Sequence, residues 1–192
     1  MSSSPTLPSA LPLALYDFQE PTTHRKWDFA PADEDESVLS PELGSALATF
    51  QVMFTSLASS LPLRPLQVLY RTTVQHIINE WLFPRLVLTR VFSAAGGAQL
   101  AYDLVTGWEA AGRQAGVRAP SNGWAKLREA AALLSLPASE GGGSRTIGRV
   151  SQAAWDEDEK RYSEVVGKEA GIEVLSRKEV QAVLKKRPEV WR

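Results

Sequence analysis

Apolar residues recur at helical spacing from residue 43 almost to the end of the chain, and nowhere do they alternate with polar ones as a half-buried strand requires. Leu43, Leu47, Phe50, Phe54, Leu57 and Leu61 follow at steps of four and three, a seven-residue seam down one face. Ser40 suits the cap of this first helix, Pro41 its first turn, and Glu42 its positive end. Pro62 and Pro65 break the chain. A second helix carries Leu66, Leu69, Tyr70, Val74, Ile77, Ile78, Trp81 and Leu82 on one side. Pro84 predicts a kink or break, since it has no N–H for the Glu80 carbonyl and its ring crowds that turn. Helix then resumes through Arg85 to Phe92, where apolar residues cover much of the circumference, the pattern of a segment buried on more than one side.

The chain is organised around residues 65 to 105. Gly96-Gly97 reads as the turn that reverses direction. A third helix follows to about Ala115, presenting Leu100 or Ala101, Leu104, Val105, Trp108 and Ala111, and its Gly107 and Gly112 leave room for a close neighbour. Gly116 and Pro120 end it. Ser121 is the expected cap of a fourth helix with Trp124, Leu127, Ala131 and Leu134 on its apolar face, stopped by Pro137. Gly141-Gly142-Gly143-Ser144 has the composition of a flexible surface loop. Helix returns from about Thr146 to Ala170, interrupted near Asp156, with Ile147, Val150, Ala154, Tyr162, Val165 and Val166 apolar. The last helix opens with Ser176-Arg177-Lys178-Glu179, a capping box, and turns Val180, Val183 and Leu184 inward before Pro188. The fold class is all-α, an antiparallel helical bundle over residues 40–192.

Residues 1–39 read differently, as an extended or disordered acidic tail. Six of the twelve prolines lie before residue 42, and residues 1 to 45 carry eight acidic and two basic side chains, net −6. Trp27 and Phe29 stand just ahead of Asp33-Glu34-Asp35-Glu36. Such a pair can serve as a linear motif with aromatic anchors and steering charges, or can pin the tail to the helical body; the second reading is favoured. Residues 171 to 192 are basic, net +3, while the whole chain is −1, so no global field favours nucleic acid or anionic lipid. No apolar run is long enough to span a bilayer, and Pro8 and Pro12 break the only stretch resembling a leader, so membrane association is expected through protein partners, without direct insertion.

Candidate chemistry is thin. With no cysteine there is no thiolate nucleophile, disulfide or cysteine-bound metal. His24 lies in the tail and His76 beside the apolar face of the second helix, where packing or solvation is favoured over ligation. Asp156-Glu157-Asp158-Glu159 lacks the spacing and turn glycine of a calcium loop, and the glycine stretch lacks the Lys-Ser/Thr of a phosphate loop. Trp81, Trp108, Trp124 and Trp155 read as core rather than as stacking platforms for bases, because no basic stripe interleaves them. Lys178, Lys185, Lys186 and Arg187 make a modest basic end. The expectation is a protein that is not an enzyme, with no catalytic, cofactor-binding or metal site and no cofactor.

The run from Val87 to Asp103, with Phe92, Ser93, Gly96, Gly97, Gln99, Leu100, Tyr102 and Asp103 in sequence, resembles the signature near the C-terminus of the RINT/TIP family. Trp124 to Leu136 and Ser176 to Trp191 are similar to the family's next and closing helices, and Trp27-Asp28-Phe29 with Asp35-Glu36-Ser37 to the segment entering them. Members of that family are several times longer, so the chain corresponds to a truncated product or to the final helical module alone. The resemblance implies the end module of a tethering-complex helical rod. It implies a non-enzymatic subunit of a Dsl/NRZ-like complex in Golgi-to-ER retrograde transport and ER–Golgi traffic, peripheral on the cytoplasmic face of the endoplasmic reticulum. The implied partners are the N-terminal domain of an ER SNARE and other tether subunits. Alternative readings are an adaptor built on the Trp27/Phe29 motif and a G2/M checkpoint adaptor.

Overall fold

Val38 and Ser40 lead the chain into a 3-10 turn, Pro41–Leu43, and then into helix α1, Gly44–Ser60. In this computed structural model, which describes residues 38–138 and 145–190, the Leu43–Leu61 seam forms α1's inner face: Leu43, Phe50 and Phe54 are buried, and Leu47, Leu57 and Leu61 pack against them. Ser40 begins the turn as expected, but its hydroxyl caps nothing; its backbone N–H donates instead to Asp103 Oδ1 at 2.9 Å. Helix α2, Leu63–His76, follows, and Leu66, Tyr70 and Val74 face inward.

Pro84 does not break the chain into two helices. From Ile77 to Val87 the backbone widens to the π-helical pattern, and the Leu88 N–H donates to the Phe83 carbonyl five residues back. The wider turn carries the proline ring past the carbonyl it would crowd in an α-helix. Ile77, Ile78, Leu82, Phe83, Leu86 and Val87 are all buried here, so the segment is covered on several sides.

The reversal comes earlier than the double glycine. Residues 88–93 make the turn, and Ser93, extended at φ −83°, caps the next helix by accepting the Gly96 N–H on its Oγ at 3.0 Å. Gly96 and Gly97 therefore lie inside α3, which runs without interruption through Ala94–Tyr102, a π-helical stretch Asp103–Glu109, and Ala110–Gln114. A serine cap three residues before a glycine pair outcompetes the glycines as the turn, because it satisfies an orphan helix donor that they cannot. Gly116, at φ 76°, ends α3, and the Val117 N–H returns to the Gly112 carbonyl.

The fourth helix begins at Pro120, not at Ser121. Ala119 occupies the left-handed region, Pro120–Trp124 forms a 3-10 turn, and α4 spans Ala125–Leu134. Helices α5, Ile147–Trp155, and α6, Glu159–Tyr162 continuing as π-helix Ser163–Glu169, are split at Asp156 as the sequence predicts. Helix α7, Arg177–Leu184, carries the complete capping box at Ser176 and Glu179, and a 3-10 turn Pro188–Val190 follows. No strand occurs among the described residues. Residues 1–37, with Trp27, Phe29 and the acidic run, lie outside them, as do the glycine stretch 141–144 and Trp191.

Helices α1, α2 and α3 run up, down and up, and α4 closes them. It lies against α3 and the π-helical end of α2 on one side and against α7 on the other, so Leu127, Ala130, Ala131, Leu133 and Leu134 are all buried. The second layer, α5–α7, packs on this shared helix.

Candidate functional site

The residues singled out by sequence form the joint that holds α3 in place. Phe92 is fully buried, and its N–H donates to the Lys186 carbonyl at 2.8 Å, tying the turn to the end of α7. Gly97 faces the backbone of α4, where an added Cβ would stand 2.5 Å from the Ser135 nitrogen and nearer still to the Leu134 carbonyl. Leu100 enters the core and Tyr102 is half-buried. Gln99 and Asp103 work together: Gln99 Nε2 donates to the Val38 carbonyl and to Asp103 Oδ1, each at 2.9 Å, and that same oxygen receives the Ser40 N–H. The signature's polar half thus grips the backbone of the entering segment, one helical turn apart.

Above this joint sits an aromatic core. Phe50 stacks edge-on to Trp108 at 5.2 Å and to Tyr70 at 5.9 Å, and Trp108 meets Trp124 at 5.3 Å. Trp124 Nε1–H donates to the Tyr70 hydroxyl at 2.9 Å, and burial pushes the Tyr70 phenol up to about 12. Gly112 lets Tyr70 in: a Cβ there would lie 2.5 Å from the hydroxyl oxygen. Beside this cluster the Glu109 carboxyl is buried on α3, which raises its pKa; Arg128 at 3.7 Å and Arg113 at 3.6 Å pull it back. Trp108 and Trp124 are core, as their spacing implies. Trp81 lies under Arg85 at 4.2 Å, and Trp155 is 38 % exposed.

Two side chains at the far end had no clear signal in the sequence. Arg187, read as part of a modest basic end, is fully buried. Its Nη1 donates to the carbonyls of Leu134 and Leu136, closing the last turn of α4, while Nε and Nη2 reach the Glu189 carboxylate at 3.1 and 3.3 Å. The clue available was position: an arginine just past a helix end, two residues before a glutamate. Glu129 accepts four hydrogen bonds of 2.8–3.0 Å from the N–H groups of Glu173, Val174 and Leu175. It fixes the loop that delivers α7.

The surface offers faces rather than an enclosed chamber. A shallow groove of about 420 Å³ follows Gln51, Val52, Thr55, Ser56 and Ser59 on the outside of α1, a helix with no charged side chain from Gly44 to Ser60. A cleft of about 560 Å³ between α5 and α6 is lined by Arg149 and Arg161, both engaged in ion pairs of 2.7 Å with Glu169 and Asp156. The acidic run is spent on structure too: Asp158 caps α6, and Glu159 pairs with Arg177 at 3.0 Å. His76 is exposed. Among the described residues no group of three His, Asp or Glu side chains is placed to hold a metal ion, and no helix is long and apolar enough to cross a membrane.

No curated protein and no solved structure matches the chain. A family profile does, over residues 14–187, which takes in every helix described above and part of the segment before them. That family is one of ER-associated vesicle tethers, not known as enzymes. With the signature residues assembled as the joint of an all-helical body and the match running through α7, the chain belongs to the RINT-1/TIP-1 family.

Proposed function

We propose that this chain is the terminal helical module of a tether subunit in a Dsl/NRZ-like complex. It serves Golgi-to-ER retrograde transport as a peripheral component on the cytoplasmic face of the endoplasmic reticulum. Its partners are proteins: the N-terminal domain of an ER SNARE and other subunits of the tether. The family match over residues 14–187 carries this reading. Two features of the body support it. Its conspicuous polar groups (Arg187, Glu129, Asp103) are engaged in holding helices together, which leaves them to architecture rather than to turnover. The outer face of α1 is uncharged, with Val52 69 % exposed, which suits helix-on-helix docking better than the binding of a small polar ligand.

The test is affinity capture of the full chain from cell extract with mass spectrometry, beside a Val52→Glu variant that keeps the fold. Recovery of ER SNAREs and tether subunits, reduced by the charge on α1, is the expected result. A reproducible set of partners unrelated to membrane traffic overturns the reading.

A further inference from the structure

Glu109 is a buried acid that the tethering role leaves without a task. It ends the π-helical stretch of α3 and is 4 % exposed, yet its Oε1 accepts no hydrogen bond. A carboxylate taken out of water is normally held by charge-assisted hydrogen bonds of about 2.7–2.9 Å. Here the cations beside it, Arg128 Nε and Arg113 Nη1, stand 3.7 and 3.6 Å away, attracted but not bonded. Both arginine side chains are about half exposed, so water reaches them and scarcely reaches the acid.

The two cations are held differently. Arg113, one turn on in α3, also donates through Nη2 to the Val105 carbonyl at 3.0 Å, so it has a partner whatever charge Glu109 carries. Arg128 projects from α4 and, among the described residues, has no hydrogen bond and no ion pair except this one. The other elements packed here add no charge. From α2 the Tyr70 phenol stands close against Gly112 on the same side of α3, and it stays neutral below pH 10. Helix α1 and the turn Pro120–Trp124 bring no charged side chain. Burial raises the Glu109 pKa above its ordinary 4.5, and the two arginines pull it back only in part.

We propose that Glu109 is a proton-operated catch on Arg128. The ionised acid draws the guanidinium inward across the α3–α4 joint; the neutral acid releases it, and the outer face of α4 gains a free cation on mild acidification. Two guanidinium charges and one carboxylate make net +1 before the proton arrives, and two guanidinium charges alone make +2 after it. The catch works whether or not the chain is a tether.

The test uses the full chain, with Glu109→Gln standing for the neutral acid. Carboxyl carbon-13 NMR is expected to place the Glu109 titration above 4.5, and Arg128→Gln to move it higher still. Arg71 is exposed and unpaired among the described residues, so dividing the Arg128 Nε–H exchange rate by that of Arg71 cancels the intrinsic effect of pH. This ratio is expected to rise about threefold as pH falls through the Glu109 midpoint, and to stay at the higher value throughout in Glu109→Gln. Urea midpoints supply the sign. The folded state holds the Glu109 proton more tightly than the unfolded one, so the stability tied to it is complete below 4.5 and is lost as pH rises through the folded midpoint. Between pH 4.5 and 7 the Gln variant is therefore expected to gain on the unaltered chain. A Glu109 midpoint at or below 4.5 overturns the proposal, as does a midpoint that Arg128→Gln leaves unmoved. So does an Arg128 exchange ratio that does not respond to the Glu109 proton.

Discussion

At Gly97 the backbones of α3 and α4 pass so closely that the obstacle to a methyl group is main chain, which cannot rotate away. Gly97→Ala is therefore expected to cost roughly 2–4 kcal/mol in urea denaturation. Gly148, in the first turn of α5 with nothing within 4 Å of its would-be Cβ, is the control: Gly148→Ala is expected to stabilise by about 0.5–1 kcal/mol. Tyr70 sets a second test. Its phenol titrates near 12 in the folded chain against an ordinary 10.0, so the folded state holds the proton longer than the unfolded one. The stability tied to that proton is intact below pH 10 and is lost between pH 10 and about 12, at up to about 1.4 kcal/mol per pH unit. Tyr70→Phe is expected to flatten this alkaline decline. It should also cost about 1–3 kcal/mol at pH 7, because the buried Trp124 indole N–H loses its acceptor. Urea midpoints across pH 8–11.5 for both proteins would check it.

At the scale of elements, periodicity was informative and punctuation less so. The seven-residue seam of α1, the apolar face of α2, the break at Asp156 and the capping box of α7 all stand where spacing and local chemistry put them. Pro84 and Gly96-Gly97 were read by what such residues do to an isolated helix. In the fold, a widened turn accommodates the proline, and the glycines serve the approach of α4 rather than the reversal. Neither outcome follows from local sequence, because both depend on which helix arrives from elsewhere in the chain. Arg187 was illegible for the same reason: its carbonyl partners lie about fifty residues upstream. Two substitutions separate local from distant control. Ser176→Ala is expected to cost about 1 kcal/mol, the usual value of a lost cap. Arg187→Ala is expected to cost roughly 2–4 kcal/mol, since it takes the donor away from the Leu134 and Leu136 carbonyls and empties a fully buried position. Thermal or urea unfolding of each variant gives the comparison.

Across the whole molecule, α4 belongs to both layers, so neither layer has a complete core without it. The described helices are expected to unfold as one unit. Urea transitions followed by far-UV circular dichroism and by tryptophan emission, which reports on the buried Trp108 and Trp124, should coincide. Separate transitions would mean that α5–α7 stands alone. The candidate surface was less legible than the core for a physical reason. Burial leaves a period in the sequence, whereas an outward face such as Gln51–Ser59 is marked only by the charges it lacks.

The grip of Glu129 on the amides of Glu173, Val174 and Leu175 divides labour unequally. Main-chain donors are supplied by nearly any residue, so the loop can exchange the outward side chains at 173 and 174 without slackening. The burden of holding that loop falls instead on one carboxylate forty-odd positions upstream. The tolerant stretch and the intolerant residue are thus far apart in the chain and adjacent in space, and an insertion within that loop would loosen the approach to the final helix while its far end stays tied through Phe92 and Arg187.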